Sequence, residues 1–488
     1  MAHLKLKPKK TGRSVSPLYA AFRRTWLAFC SSTSIHGLKY IQDRDTNKLV
    51  RFIWMLITLL MFICAIVMVI TFYLDYRSNP TRMNIATDNA PVESLTFPAV
   101  TICPEALHNV QRIKVYLETL QLPPGFNITQ IIVALSISNG FISDNNSPSK
   151  DDIDLLEKLM QINNISMLAF MENVHWKCDQ FLIRCRFQMQ IVECEKLFQA
   201  SRTFFGYCCS FNLNQYGMNY TGAKSRAGVI EGLSLVLYYN DSNFHEIRSN
   251  SNGFKVMVSE NDAFPSAHSI LKFASPKQET FVGIRPVETY CSRNVKKLSV
   301  EERQCVLPYE FPLKYFRKYM DTNCELEFRV RNMLEMCGCL TYFFYTNRTN
   351  DRICSFKDIP CLVDNFASII GRYKANQSFC PNSCELIEIN AELSSSEFNI
   401  DIPTVGDFYS GIQENYTVVH IFLNNQVYRR VRRDLLSNMV ALVSNLGSAF
   451  SLFAGISMVS IVEIIYYLTV ILRKHYKEEV KARLKLRT

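Results

Sequence analysis

The residues that point most clearly to a chemical function lie inside an apolar stretch near the C-terminal end, residues 435–472. One carboxylate, Glu463, lies within this stretch. Small residues recur along it: Ser444, Gly447, Ser448, Ala449, Ser451, Ala454, Gly455, Ser457 and Ser460. A simple lipid-facing anchor needs neither feature, because small residues serve close helix packing and an intramembrane carboxylate usually lies beside water. The stretch therefore predicts a membrane helix that packs on copies of itself around a wet path.

This stretch is also too long for one straight crossing. About 38 helical residues would extend roughly 57 Å, whereas the hydrocarbon core of a bilayer is about 30 Å thick. A second apolar segment, residues 52–74, is long enough to cross once with some tilt, and it begins too far into the chain for an ordinary signal peptide. The chain therefore predicts two membrane crossings.

The charge distribution predicts how these crossings are oriented. Residues 1–51 carry a net charge of +9 and the residues after Leu472 carry +5, while the remainder carries −4. Because Lys and Arg mark the cytoplasmic side, we expect a multi-pass protein of the plasma membrane with both termini in the cytoplasm. The basicity is thus a signal of topology and gives a nucleic-acid partner no support. Contact of the tails with membrane lipid stays open beside simple solvation.

The segment between the crossings contains 15 of the 17 cysteines, which is typical of an oxidising compartment. Candidate disulfide residues are Cys103, Cys178, Cys185, Cys208, Cys209, Cys337, Cys339, Cys354, Cys361, Cys380 and Cys384. Fifteen is odd, so at least one thiol is free, buried or intermolecular. We expect it in the adjacent Cys208-Cys209 pair.

Zinc is the alternative explanation for the closely spaced pairs Cys337/Cys339 and Cys380/Cys384. Zinc sites often combine His with Cys at fixed spacing, and the sequence has no His near either pair. Disulfides account for all these cysteines without a special spacing. We therefore expect no metal and no cofactor.

Glycosylation sequons support an extracellular middle segment, because none occurs in the tails. They lie at Asn127, Asn164, Asn219, Asn240, Asn347, Asn376 and Asn415, and a further one at Asn145 is weakened by Pro148.

Hydrophobic spacing in the middle segment predicts one large mixed α/β domain. We expect strands at 96–104, within 228–290 and at 417–433, helices at 107–120, 151–170 and 299–336, and a loop-rich region at 337–384. Residues 1–29 are basic and poorly patterned, so we expect them to be flexible. The sequence shows neither a Ser/His/Asp or Cys/His nucleophile set nor a phosphate-binding Gly loop, so the chain is not expected to be an enzyme.

Four motifs together resemble the degenerin/epithelial sodium channel family, which is the amiloride-sensitive sodium channel family. In chain order they are Ser34-Ile-His-Gly37, Phe97-Pro-Ala-Val-Thr-Ile-Cys103, the cysteine-rich block that ends Cys380-Pro-Asn-Ser-Cys384, and Ser444-Asn-Leu-Gly447 through Gly455-Ile-Ser457 to Glu463. Residues 206–212 (GYCCSFN) and 298–305 (LSVEERQC) resemble the insect pickpocket branch in particular. The resemblance covers essentially the full chain.

The resemblance implies a fold and an activity. The fold is a trimeric channel in which each subunit has two transmembrane helices, the second broken by a Gly-Ile-Ser turn, flanking a disulfide-rich mixed α/β extracellular domain. The activity is conduction of cations, preferably Na⁺, with block by amiloride, in a homo- or heterotrimer of related subunits. The implied segments are the cytoplasmic tail 1–51, the first helix 52–74, the extracellular domain 75–434, the pore helix 435–472 and the cytoplasmic tail 473–488.

The same resemblance implies roles for particular residues. Gly455, Ile456 and Ser457 would form the selectivity filter, where backbone carbonyls and the Ser457 hydroxyl partly replace the ion's hydration shell. Ser451 occupies the amiloride position and Ser444 the degenerin gating position, while His36 and Gly37 would form a cytoplasmic gating motif. Glu463 would be an acid at the inner end of the pore.

The residues alone leave alternatives open for each of these roles. Gly455 and Ser457 are also typical of close helix packing, Glu463 could snorkel to the cytoplasmic surface, and His36 could be an ordinary exposed histidine. For the whole chain, the alternative is a two-crossing scavenger-type lipid receptor with plain anchoring helices. Residues 75–83 have no histidine, unlike the acid-sensing members of the family, which places proton gating by that route in doubt.

We also expect Cys103 to pair with Cys208 or Cys209, which would tie the extracellular domain to the first helix.

Overall fold

The computed structural model describes residues 16–43, 46–78, 80–106, 108–138, 149–215, 218–240, 252–266, 269–344, 350–370, 380–397, 399, 406–436 and 439–485. The chain divides into two compact units. The first comprises Met1–Arg82 with Leu435–Thr488, and the second comprises Met83–Asp434.

The α-helices in chain order are α1 (Pro17–Ser32), α2 (Leu38–Gln42), α3 (Lys48–Ser78), α4 (Val110–Glu118), α5 (Ile128–Ser138), α6 (Lys150–Asn163), α7 (Met167–Val174), α8 (Cys194–Leu197), α9 (Val300–Arg303), α10 (Asp321–Cys337), α11 (Ile359–Asp364), α12 (Phe366–Ile370), α13 (Met439–Ala454), α14 (Met458–Tyr466) and α15 (Leu472–Lys485). A π-helical turn, Tyr467–Ile471, joins the last two.

The strands in chain order are β1 (Thr81–Pro91), β2 (Ala99–Pro104), β3 (Leu182–Phe187), β4 (Gln190–Val192), β5 (Phe198–Thr203), β6 (Gly206–Phe211), β7 (Leu233–Tyr238), β8 (Phe254–Ser259), β9 (Ile270–Ala274), β10 (Gln278–Cys291), β11 (Leu386–Glu397), β12 (Tyr416–Leu423) and β13 (Val427–Leu435).

The first unit contains the long apolar helices. Helix α3 has 31 residues and is long and apolar enough to cross a membrane. Helix α13 and the helical segment that begins at Met458 pass the same test only as a pair, with a bend of 71° between them. The side chains of α3 are mostly exposed although they are apolar, which is the pattern of a surface that meets lipid or another chain.

Helix α1 corrects the expectation that residues 1–29 are flexible, for the part of them that the structure describes. The Ser16 hydroxyl accepts the backbone N–H of Tyr19, and Pro17 occupies the first helical position. Both are strong signals for a helix start. Its buried side chains, Ala21, Thr25, Phe29 and Cys30, form the face that the rest of the first unit covers, and α1 packs against α15.

The second unit is built on two sheets, as a mixed α/β domain requires. The larger sheet has eight strands in the order β1-β13-β10-β12-β7-β3-β4, with β11 paired to β10 outside this path. The smaller has five strands in the order β5-β6-β2-β8-β9. Strand β2 lies within the strand predicted at 96–104.

The single strand predicted at 417–433 is wrong, because two strands occupy it. The polar residues Asn424, Asn425 and Gln426 separate β12 from β13. The N–H of Asn424 makes the last bond of the β10–β12 ladder, to the carbonyl of Ile284 at 3.1 Å. Both strands still pair in parallel with β10, at different positions along it.

Seven disulfides staple the second unit: Cys103–Cys208, Cys178–Cys209, Cys185–Cys194, Cys305–Cys384, Cys324–Cys380, Cys337–Cys361 and Cys339–Cys354. The predicted partner of Cys103 is therefore Cys208. The expectation of a free thiol in the Cys208-Cys209 pair is wrong, since neighbouring residues of β6 point to opposite faces and reach different partners.

The unpaired thiol of the second unit is instead Cys291, which is buried at the end of β10. Burial raises the pKa of this thiol, so it is a poor nucleophile. Cys339, Cys354 and Asp358 come close enough together to suggest a metal site, but both of these cysteines are consumed in one disulfide.

Among the sequon residues, Asn127, Asn164, Asn219 and Asn415 are exposed and Asn240 is partly buried. Asn347 and Asn376 lie outside the described residues.

The structure predicts an unusual pH dependence of stability at Glu260, which follows β8. The carboxylate of Glu260 accepts the backbone N–H of Ile387 at 2.8 Å, and burial raises its pKa to about 7. In the unfolded chain this group ionises near its ordinary value of 4.5. Between these two values the unfolded state binds fewer protons than the folded state, so this glutamate lowers the free energy of unfolding as the pH rises from about 4.5 to about 7.

We therefore expect Glu260→Gln to raise the stability at pH 8 by on the order of 1–3 kcal/mol and to leave it unchanged at pH 4.5. Thermal unfolding of the full-length protein in detergent at both pH values measures this difference. Glu118→Gln, at an exposed glutamate of α4, is the matched control and should be neutral at both. An equal effect of Glu260→Gln at pH 4.5 and pH 8 would contradict the assignment.

Candidate functional site

The second apolar segment breaks at one glycine. Helix α13 ends at Ala454, and Gly455 adopts a left-handed conformation with φ of +67°. Residues other than glycine rarely adopt this conformation, which is why glycine is the usual residue at such helix ends. The second apolar segment is thus broken at Gly455, within the Gly-Ile-Ser turn that the family resemblance implies and that accounts for the excess length of 435–472.

Ser457 restarts the helix. Its hydroxyl accepts the backbone N–H of Ser460 at 3.3 Å, and the Ser460 hydroxyl accepts the backbone N–H of Ser457 at 3.1 Å. This reciprocal pair is a capping box in which serine takes the place of the more common Glu or Gln. The backbone between Ala454 and Met458 is thus held open by specific bonds at both helix ends.

The His36-Gly37 segment packs directly on this break. The backbone N–H of His36 donates to the carbonyl of Ala454 at 3.0 Å, which satisfies a carbonyl at the end of α13. A Cβ added to Gly455 would lie 2.7 Å from the imidazole ring of His36. The structure therefore brings the predicted gating motif and the predicted filter, more than 400 residues apart in sequence, into contact.

Gly37 is required by a second close approach. Its φ is +86°, and a Cβ at this position would lie 2.1 Å from the hydroxyl oxygen of Thr58 on α3. A larger residue fits here only if the Thr58 side chain turns or one of the two helices moves. Gly37 therefore sets how closely the His36 segment approaches the first apolar helix.

The residues before His36 continue along α14 and the π turn as a ladder of side-chain hydrogen bonds. The hydroxyl oxygens of Ser34 and Ser460 lie 2.9 Å apart, and those of Ser32 and Tyr467 lie 2.7 Å apart. Between them, the Thr33 hydroxyl donates to the Glu463 carboxylate at 3.5 Å. Residues 30–48 are a short polar stretch in the sequence. Only the structure shows that the hydroxyls of this stretch face the second apolar segment.

The other predicted site residues lie on the exposed surface of α13. Ser444, Ser448 and Ser451 are exposed, and they recur at a spacing of four and three residues. Residues at this spacing share one face of a helix. The structure thus places the predicted gating and amiloride positions on one narrow, small-residue stripe that ends at Gly455.

In the second unit, Ser234, His420 and Glu279 form a hydrogen-bonded cluster with the residue types of a catalytic triad. His420 lies between Ser234 and Glu279, with Nδ1 2.8 Å from the Ser234 hydroxyl and Nε2 2.8 Å from the Glu279 carboxylate. Ser234 is fully buried within β7 and His420 is 1% exposed, so no substrate reaches the hydroxyl. The Tyr409 hydroxyl also binds Glu279, and the cluster ties the 406–411 turn to the sheet.

An apolar helix, a second one broken at Gly455 and a separate disulfide-rich unit agree with a membrane protein, and the comparison with known families narrows this class to ion channels. The chain belongs to the amiloride-sensitive sodium channel family, whose family model matches residues 29–467. Members of this family are ion channels and not enzymes, which agrees with the buried position of Ser234.

Individual relatives place the chain more narrowly. It is 52% identical over 481 residues to the sodium channel protein Nach of Drosophila ananassae, covering 99% of this chain and 93% of that one. Its identity to pickpocket protein 28 of Drosophila melanogaster is 22%, over 92% of this chain and 79% of the relative. Its identity to the bile acid-sensitive ion channel of Mus musculus is 24%, over 90% of this chain and 86% of the relative. These relatives confirm the predicted pickpocket branch and do not favour a scavenger-type receptor.

Proposed function

We propose that the chain is one subunit of a trimeric, sodium-preferring and amiloride-sensitive cation channel of the plasma membrane, opened by a chemical or mechanical sensory stimulus. Membership of the family supports cation conduction. The observation that carries the proposal is the broken helix at Gly455, because exposed backbone inside a membrane is tolerated where it lines water.

In this proposal, Gly455, Ile456 and Ser457 form the selectivity filter. Three copies around a central axis supply backbone carbonyls and Ser457 hydroxyls as oxygen ligands for Na⁺. Ser451, one turn outside the filter, is the amiloride position. Its small side chain leaves room for a blocker at the outer mouth of the constriction.

Gating acts on both sides of this filter. Ser444 lies farther out on the same face of α13, where a bulky side chain holds the pore open. His36 acts from the cytoplasmic side through its contact with Ala454 and Gly455, and Gly37 acts through its close approach to Thr58. Glu463 adds negative charge where Na⁺ emerges.

The proposed topology places 1–51 and 473–488 in the cytoplasm and 75–434 outside, where the exposed sequon residues are glycosylated. The subunit assembles as a homotrimer or with related subunits. Lys and Arg in both tails contact anionic membrane lipid.

Whole-cell recording tests the proposal. Cells that express Ser444→Trp should show a standing inward Na⁺ current that amiloride blocks, because the bulky ring prevents closure. Cells with the unmodified protein and untransfected cells are the controls. Absence of current from Ser444→Trp, with protein present at the cell surface, would contradict a self-sufficient channel; coexpression with a related subunit then tests the heteromeric form.

A further inference from the structure

The Ser460 hydroxyl has three polar partners, although it lies outside the Gly-Ile-Ser element. The side chain is fully buried. Its oxygen lies 3.1 Å from the backbone nitrogen of Ser457, 3.2 Å from the Ser457 hydroxyl oxygen and 2.9 Å from the Ser34 hydroxyl oxygen. One hydroxyl thus connects the filter serine to the N-terminal segment.

The proton count of these hydroxyls permits two arrangements. A serine hydroxyl has one proton to donate and two lone pairs to accept with. In both arrangements the Ser460 oxygen accepts the N–H of Ser457, so it has one proton and one lone pair left for the hydroxyls of Ser457 and Ser34.

In the first arrangement Ser460 donates to Ser34 and accepts the hydroxyl proton of Ser457. The Ser457 oxygen accepts only the N–H of Ser460, at 3.3 Å, and keeps one lone pair for a cation. In the second arrangement Ser460 donates to Ser457 and accepts from Ser34. Both lone pairs of the Ser457 oxygen are then occupied, and it has none to offer to Na⁺.

We propose that Ser460 is a positioning residue for the selectivity filter, and that Ser34 sets the direction of its hydrogen bond so that the Ser457 oxygen keeps a lone pair for Na⁺. This inference rests on the proposed function, because it assigns the orientation of the filter hydroxyl. Through these hydrogen bonds the N-terminal segment can influence the filter without any movement of the backbone. Ser34 acts on the ion indirectly, through the hydroxyl groups of Ser460 and Ser457.

Removing the Ser34 hydroxyl should reverse the bond. Without that acceptor, the Ser460 proton would be buried and unpaired unless it turned to Ser457, and unpaired buried donors are unfavourable. We therefore expect Ser34→Ala to lower the Na⁺/K⁺ permeability ratio by about two- to ten-fold, the effect of one hydrogen bond. In a Ser460→Ala background Ser34→Ala should change nothing further, because the bond it controls is already absent.

Bi-ionic reversal potentials in the Ser444→Trp background measure these ratios, together with surface labelling of each variant. Ser460→Thr keeps the hydroxyl and should retain the native ratio. Ser31→Ala and Thr469→Val are the matched controls, since in the described structure each of these hydroxyls bonds only to a backbone carbonyl three or four residues earlier in the chain. If Ser460→Ala carries no current, Ser34→Ala and Ser460→Thr decide the question.

The possible outcomes separate this inference from the filter assignment. A changed ratio in Ser457→Ala with a native ratio in Ser34→Ala overturns the role of Ser34 and Ser460 and leaves the filter intact. An equal effect of Ser34→Ala with and without the Ser460 hydroxyl also overturns it. A native ratio in Ser457→Ala removes Ser457 from the filter, and the inference falls with the proposed function.

Discussion

Gly455→Ala should abolish the Na⁺ preference of the current or reduce the current by more than about ten-fold. The left-handed backbone at Gly455 costs an alanine about 1–2 kcal/mol, and the added Cβ meets the imidazole of His36 at 2.7 Å. His36 then loses the hydrogen bond to Ala454. Together these costs exceed the 1.4 kcal/mol that corresponds to a ten-fold change in an equilibrium. Whole-cell current and permeability ratio, normalised to surface protein, measure the effect.

Gly338 provides the matched control for this substitution. It is the C-cap of α10 with φ of +64°, and an added Cβ there meets nothing within 4 Å. Gly338→Ala therefore carries the backbone cost alone and should leave the permeability ratio unchanged. Removing the opposing imidazole ring with His36→Ala should partly restore the current and the Na⁺ preference of Gly455→Ala. Normal current and selectivity in Gly455→Ala would show that the His36 contact is not part of the conducting structure.

Gly37→Ala is expected to have a comparable effect by a different contact. Its Cβ would lie 2.1 Å from the Thr58 hydroxyl oxygen, so either the Thr58 side chain turns or α2 moves away from α3 and takes His36 with it. We expect a reduction in open probability of ten-fold or more, by the same conversion of about 1.4 kcal/mol per ten-fold. Single-channel recording distinguishes this loss of opening from a loss of surface protein.

Two variants separate the overlap with Thr58 from backbone strain. Gly125 has almost the same φ, +85°, with nothing within 4 Å of an added Cβ, so Gly125→Ala should have native open probability. Thr58→Ala removes the nearest clashing atom and should restore part of the activity of Gly37→Ala. If Thr58→Ala gives no recovery, the close approach of these two residues does not explain the need for glycine.

Much of the architecture could be predicted because it rests on local patterns. The length of 435–472 showed that it is not one straight crossing, the family resemblance implied a break at the Gly-Ile-Ser turn, and the break lies at Gly455. The start of α1 carried a readable signal in Ser16 and Pro17, yet the basic composition of residues 1–29 favoured a flexible tail. In that case local capping outweighed composition.

The contacts of the candidate site could not be predicted, since they join residues far apart in sequence. Nothing in the spacing of Ser34 indicates Ser460, and nothing near Gly37 indicates Thr58. The pairing of Cys208 and Cys209 with different partners is likewise a consequence of strand β6, whose neighbouring side chains alternate between faces. The pattern of the sequence predicts where helices and strands lie, but their packing in three dimensions determines which side chains come into contact.

The reversal potential of the Ser444→Trp current tests the central claim most directly. Replacing external Na⁺ by K⁺ should shift this potential to more negative values, and replacing Cl⁻ by a large anion should leave it unchanged, because in the proposed filter the Gly455-Ile456-Ser457 oxygens select Na⁺ among cations. Ser457→Ala should reduce the shift that follows the exchange of Na⁺ for K⁺. A current that follows the Cl⁻ gradient, or one that does not distinguish Na⁺ from K⁺, would contradict a sodium-selective filter at this break in the helix.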